Sequence, residues 1–201
     1  MKKMILLIVA EIIFTTVYSQ NAEEYFKRGL AKRDLLEYKE AISNYTKAIE
    51  INPAFAEAYF SRGVVKDILQ DYNGAIDDYT KAIKINPKYK DAYYNRGLVK
   101  VIIENLSGAI DDYTKVLDID PNDAQVLTNR GIAKNYLQDF KGAIVDYNKA
   151  IEINSNLAEP YLNRGLAKIA LGQNSSGCLD LKKAGELGLA IANDAMKEFC
   201  K

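Results

Sequence analysis

Residues 56–89 read AEAYFSRGVVKDILQDYNGAIDDYTKAIKINPKY, and the same order of residue types returns before and after this stretch. The Arg-Gly pair is the clearest marker, because it recurs every 34 residues. The glycines of the five pairs are Gly29, Gly63, Gly97, Gly131 and Gly165. Self-similarity at a fixed period of this length indicates an array in which each repeat is one supersecondary unit.

Aromatic and small residues keep the same phase as the Arg-Gly pairs. In residues 56–89, Tyr59 precedes the glycine by four positions, while Ala75 and Tyr79 follow it by twelve and sixteen. Spacings of three and four residues predict two amphipathic helices in each repeat. Because the residue before a proline avoids the α region, the prolines that close three repeats predict helix ends just before them. These prolines are Pro53, Pro87 and Pro121.

The recurring order of aromatic residue, Gly, Ala, Tyr, Ala and Pro resembles the tetratricopeptide repeat (TPR) family. This resemblance implies an all-α fold: a right-handed superhelical solenoid of five helix-turn-helix units that stack to share one core, closed by a C-terminal capping helix. The expected units are residues 22–55, 56–89, 90–123, 124–157 and 158–188, with the capping helix at 189–201. The fifth unit diverges in its second helix, where Gly177 replaces the repeated alanine.

The composition argues against most enzyme classes. The chain has 27 Lys and Arg, 27 Asp and Glu, no histidine and two cysteines. Without histidine there is no His-based metal site, general base or nucleophile pair, and a balanced charge is not typical of proteins that neutralise nucleic-acid phosphates. We therefore expect a non-enzymatic protein with no cofactor, no metal and no nucleic-acid partner.

Residues 1–19 have the pattern of a signal peptide. Two lysines precede an apolar stretch, and Ser19 stands before a possible cleavage site at Gln20. The stretch is interrupted by Glu11 and is shorter than the roughly 20 apolar residues of a membrane-spanning helix. We expect a cleaved signal, an exported protein of the bacterial TPR type that is periplasmic or secreted, and no membrane span after cleavage. An uncleaved anchor is the alternative.

Two cysteines flank Gly188, at which we expect a helical hairpin to turn. Cys178 lies ten residues before this glycine and Cys200 twelve after it, so an antiparallel pair of helices would bring them nearly opposite each other. An exported protein permits a disulfide between them. The alternative is a pair of buried free thiols.

Charged residues repeat with the same period as the glycines. The arginines fall on the face of the first helices that carries the packing Tyr and Gly. Sixteen residues later, on the second helix, stands an aspartate in four repeats and Asn44 in the first. We favour a structural ladder of Arg–Asp pairs over a basic surface for an anionic ligand. The ladder residues are Arg62, Asp78, Arg96, Asp112, Arg130 and Asp146.

The TPR resemblance also implies a ligand groove along the concave face of the first helices. The positions that would line it are Phe26, Phe60, Tyr94, Asn95, Asn129, Val101, Ile102, Tyr136, Leu162 and Asn163. An apolar strip flanked by amides suits an extended peptide or an amphipathic helix. We expect a protein-binding scaffold or adaptor. The alternative is a structural, self-associating component of an envelope or secreted complex, so an oligomer remains possible.

Overall fold

The computed structural model describes residues 21–200 as helices joined by short turns, with no strand in this range. The all-α fold class predicted from the 34-residue period is therefore confirmed. The predicted signal peptide, residues 1–19, lies outside the described residues. The chain divides into two compact units, Met1–Val99 and Lys100–Lys201.

The first unit consists of helical hairpins whose second helices carry the repeated tyrosines. Ala41, Tyr45 and Val65 form one buried cluster, and Ala75, Tyr79 and Val99 form the next. Its described helices are α1 (21–34), α2 (Tyr38–Ile51), α3 (Ala56–Ile68), α4 (Tyr72–Ile85) and most of α5 (Lys90–Ile102).

The second unit begins within α5 and repeats the same design. Tyr113 and Tyr147 are again buried, and Leu181 takes the corresponding place in the divergent fifth repeat. The last helix of this unit packs against the one before it. The helices are α6 (Leu106–Ile119), α7 (Ala124–Tyr136), α8 (Phe140–Ile153), α9 (Ala158–Ala170), α10 (Asn174–Glu186) and α11 (Ala190–Phe199).

The Arg-Gly glycines allow the two helices of a hairpin to approach each other. A Cβ atom built on Gly131 would lie 2.5 Å from Cε1 of Tyr147, and one on Gly63 would lie 2.8 Å from Cε1 of Tyr79. Only glycine leaves room for the tyrosine ring at this distance. The pairing of Gly on the first helix with Tyr on the second therefore fixes the contact between them.

Each hairpin turns through one residue in the left-handed conformation. The residue is Gln70 between α3 and α4 (φ 63°), and Glu104 takes the same conformation between α5 and α6 (φ 62°). Around Gln70, the next amide, of Asp71, donates to the carbonyl of Lys66, as in a Schellman cap. Asp71 then caps α4 by accepting a bond from the amide of Gly74 at 3.0 Å.

Candidate functional site

The repeated arginines and lysines form buried ion pairs inside the hairpins. In the first unit, Arg62 donates through Nε and Nη2 to the two carboxylate oxygens of Asp78, at 2.9 and 2.7 Å. Lys66 Nζ lies 2.8 Å from the same carboxylate. The third nitrogen of Arg62 donates to Thr46 of the preceding hairpin. One aspartate thus pairs with two cations, and the arginine joins three helices.

The second unit repeats this arrangement twice. Arg130 donates to both oxygens of Asp146 at 2.9 and 2.6 Å, and Lys134 lies 2.7 Å from the same group. Arg164 and Lys168 share Asp180 in the same way. Because these cations are already paired and mostly buried, they are not available as a surface for an anionic ligand.

The remaining members of the predicted ladder fall in different units. Arg96, in the first unit, donates to Thr80 at 2.9 Å. Asp112, in the second unit, forms an ion pair with Lys100, whose Nζ lies 2.8 Å from its carboxylate. Both residues therefore contribute to packing within their own units.

Cys178 of α10 and Cys200, which follows α11, are joined by a disulfide with a Cα–Cα distance of 5.8 Å. The bond ties the residue that follows α11 to the second helix of the fifth repeat. It fixes α11 against α10 without involving any surface on the first helices.

A cavity of about 300 Å³ lies between α7 and α9 in the second unit. Its wall is apolar apart from two amides, Asn135 and Asn163. The remaining lining residues are Ile132, Tyr136, Phe140, Leu166 and Ala167. The Oδ1 atom of Asn135 is buried and has no hydrogen-bond partner among the described residues.

A second cavity, of about 430 Å³, lies on the other side of Tyr136. It is lined by Val101 and Ile102 at the end of α5, and by Glu104 and Leu106 at the following turn. Tyr136 lines both cavities and is 70% exposed. We call this surface the Tyr136 face: Val101, Ile102, Glu104, Leu106, Ile132, Asn135, Tyr136, Phe140, Asn163 and Leu166.

Four of the predicted groove residues belong to the Tyr136 face: Val101, Ile102, Tyr136 and Asn163. The other predicted positions of the second unit lie outside it. Asn129 accepts a hydrogen bond from Gln125 on its own helix, and Leu162 is half-buried.

The predicted groove residues of the first unit are half-buried, and several have contacts of their own. The ring of Phe26 lies 4.9 Å from that of Phe55, and the ring of Phe60 lies 5.0 Å from that of Tyr89. Asn95 donates to the carbonyl of Asp91 on its own helix, and Tyr94 is half-buried. The structure thus places both phenylalanines in ring contacts with the residue that precedes the next first helix.

Four members of the Tyr136 face stand at or beside the turns within hairpins and are not among the groove positions predicted from the sequence: Glu104, Leu106, Asn135 and Phe140. Leu106 and Phe140 fall in register with Tyr38 and Tyr72 at the 34-residue spacing, so the repeat carries a signal for them. It carries none for Glu104 and Asn135, because no other repeat has the same residue type at their positions.

Two kinds of feature are absent from the part of the chain that the structure describes: a cluster of metal ligands and a membrane-spanning helix. Within residues 21–200, no group of three or more Cys, Asp and Glu is arranged to hold a metal ion. No helix in the same range combines the length and apolar character needed to cross a membrane.

Burial raises the pKa of Tyr79 and Tyr147 above the ordinary value, which keeps these core phenols protonated.

Family models match the chain in four places. The model described as TPR repeat matches residues 29–66, 68–101 and 133–172, which together exceed half of the chain. The model described as tetratricopeptide repeat matches residues 90–123. No curated protein sequence gives a significant match.

Solved structures share the fold over most of the chain. YrrB, described as a TPR protein with an unusual peptide-binding site, is 22% identical, with a TM-score of 0.81 over 92% of this chain and 97% of that one. MamA is 24% identical, with a TM-score of 0.80 over 84% and 92%. PilF of Pseudomonas aeruginosa is 17% identical, with a TM-score of 0.69 over 85% and 78%.

Proposed function

The chain belongs to the tetratricopeptide repeat family, and from this premise we propose that it is an exported, non-catalytic scaffold that binds a partner protein through the Tyr136 face. The observation that carries the proposal is the exposure of Tyr136, which is 70% accessible between two cavities. Large aromatic side chains beside apolar cavities are typical anchors of protein interfaces.

The contrast between the ion-paired cations and the side chains of the Tyr136 face supports this choice of surface. The repeated cations of the second unit are held in ion pairs by Asp112, Asp146 and Asp180. The Tyr136 face, in contrast, exposes apolar side chains and amides. The fold shared with YrrB, whose description names a peptide-binding site, favours a peptide or an extended segment as the ligand.

Two features support export. Residues 1–19 have the pattern of a signal peptide, and the bond between Cys178 and Cys200 is of a kind that persists in oxidising compartments. We propose a periplasmic or secreted protein of the bacterial type. Mass spectrometry of the protein from its producing cell should find a chain that starts at Gln20, whereas a retained N-terminus would contradict the cleavage.

Site-specific photo-cross-linking tests the binding surface. Benzoylphenylalanine at position 136 should form a cross-linked product with another protein in the native compartment, identified by mass spectrometry. The matched control carries the same group in place of Val145, which is 65% exposed on α8 and outside the Tyr136 face. Equal products at both positions, or products with this chain alone, would contradict the proposal.

A second candidate function is a self-associating structural component. Ile191 and Phe199 stand eight residues apart on α11, 61% and 42% exposed, and helical geometry places them on one side of the helix. Native mass spectrometry distinguishes the two. A stable oligomer that Ile191→Ser disrupts would favour self-association, and a monomer would favour the scaffold.

A further inference from the structure

The Tyr136 face carries a carboxylate that nothing in the described chain neutralises. Glu104 lines the cavity beside Ile102 and Leu106. The repeated lysines of the two helices that contribute to the face are engaged in other ion pairs: Lys100 pairs with Asp112, and Lys134 pairs with Asp146. No Lys or Arg within residues 21–200 forms an ion pair with Glu104.

The position of Glu104 in the turn makes its charge distinctive. Each hairpin turn has one left-handed residue at this place: Leu36, Gln70, Glu104, Gln138 and Gly172. Glu104 is the acidic member of the series. The backbone tolerates glutamine there equally well, so the turn itself does not require a negative charge.

The cavity between α7 and α9 is the apolar part of the face. Ile132, Phe140 and Leu166 line it beside Tyr136, with Asn135 and Asn163 as its amides. Apolar walls of this kind suit a large apolar side chain of a ligand. Glu104, in the other cavity that Tyr136 lines, suits a cation.

We infer that the Tyr136 face binds an extended segment of a partner protein in which a Lys or Arg stands close to a large apolar residue. The inference rests on the proposed function and specifies the chemistry of the partner segment that the face binds. The apolar side chain enters the cavity between α7 and α9, beside Asn135 and Asn163. The cationic side chain pairs with Glu104, and the Tyr136 ring packs between the two.

Selection from a phage-displayed library of random linear peptides, followed by affinity measurements on synthetic copies, tests this inference with the purified full chain. Selected peptides should carry Lys or Arg beside an aliphatic or aromatic residue. Glu104→Gln should weaken their binding about two- to fivefold, the range expected for an exposed ion pair. Glu104→Lys should shift a repeated selection towards acidic peptides.

The control for charge is Glu152→Gln, which removes one carboxylate from α8 outside the Tyr136 face and should leave affinity unchanged. Binding that needs Tyr136 but shows no basic preference, or that Glu104→Gln leaves unchanged, overturns this inference while the proposed function stands. Absence of any selected peptide, or binding insensitive to Tyr136→Ala, overturns both. The fold of each variant is checked by circular dichroism.

Discussion

The hairpin of α1 and α2 and the hairpin of α7 and α8 use the same repeat differently. In the later hairpin, Arg130 and Lys134 both pair with the buried Asp146. In the earlier one, Asn44 stands at the equivalent position, and its amide donates to the carbonyl of Glu40.

Without that aspartate, the cations of the first hairpin find partners nearer to the surface. Arg28 pairs with Glu24 one turn back on its own helix, and Lys32 pairs with Glu37 at the turn. All four side chains of these pairs are more than a third exposed. One residue on the second helix thus decides whether the repeated cations stabilise the interior or remain on the surface.

The largest expected effect comes from removing the aspartate of the later hairpin. Asp146→Ala leaves Arg130 and Lys134 without an anionic partner in a mostly buried place and should lower the free energy of unfolding by about 3–5 kcal/mol. Asn44→Ala, at the same position of the first hairpin, should change it by less than about 1 kcal/mol. Urea unfolding measures both. Equal losses would show that the ion pairs do not distinguish the hairpins.

Reduction of the disulfide should have the next largest effect. Replacing Cys178 and Cys200 with serine opens a loop with a sequence separation of 22 residues, and the expected loss is about 3 kcal/mol. Hydrogen exchange should show faster opening of α11 and α10, with α1 and α2 unchanged. Faster exchange of the first hairpin to the same extent would contradict a local role.

The two hairpins should respond alike when the core tyrosine loses its hydroxyl group. The hydroxyls of Tyr45 and Tyr147 are buried and lack partners among the described residues. Tyr45→Phe and Tyr147→Phe should therefore keep stability or raise it by about 1 kcal/mol. If thermal unfolding shows that either variant loses more than about 1 kcal/mol of stability, the hydroxyl that it removes forms a hydrogen bond in the native chain.

The same tyrosines predict how stability depends on alkaline pH. Burial raises the pKa of Tyr147 above its ordinary value of 10.0, so the folded state holds its proton where the unfolded state has lost it. This contribution is complete below about pH 10 and is lost as pH rises towards the folded pKa. Stability of Tyr147→Phe should fall less steeply above pH 10 than that of the native chain, as measured by urea unfolding at several pH values.

The smallest expected change in stability comes from giving the first hairpin the aspartate of the later one. Asn44→Asp supplies a carboxylate between Arg28 and Lys32, and we expect a gain of about 1 kcal/mol or less, since both cations already have exposed partners. The gain should shrink at high salt. A loss of stability at low salt would mean that the aspartate does not reach the cations.

The sequence predicted the elements that depend on local period. Spacings of three and four gave the helices, and the offset of sixteen residues paired Arg62 with Asp78, because both positions are set by helix geometry. Phe26 and Phe60 show what the period leaves open. The same period places a ring on the first helix whether it lines a groove or packs against Phe55 or Tyr89, and both rings are half-buried beside these partners.

The Tyr136 face was only partly predictable for the same reason. Tyr136 and Ile102 end their helices and could be listed from the repeat. The role of Glu104 depends on a left-handed turn, and that of Asn135 on a cavity formed with α9, neither of which a single repeat contains. Residues 1–19 stay a sequence prediction.

The affinity of one selected peptide for two variants tests the central claim most directly. Isothermal titration should show binding to Tyr136→Ala weakened at least tenfold, as for an aromatic anchor, and binding to Val145→Ala unchanged. Equal affinity of the native chain and Tyr136→Ala, with both folded, would contradict the assignment of this face as the binding surface.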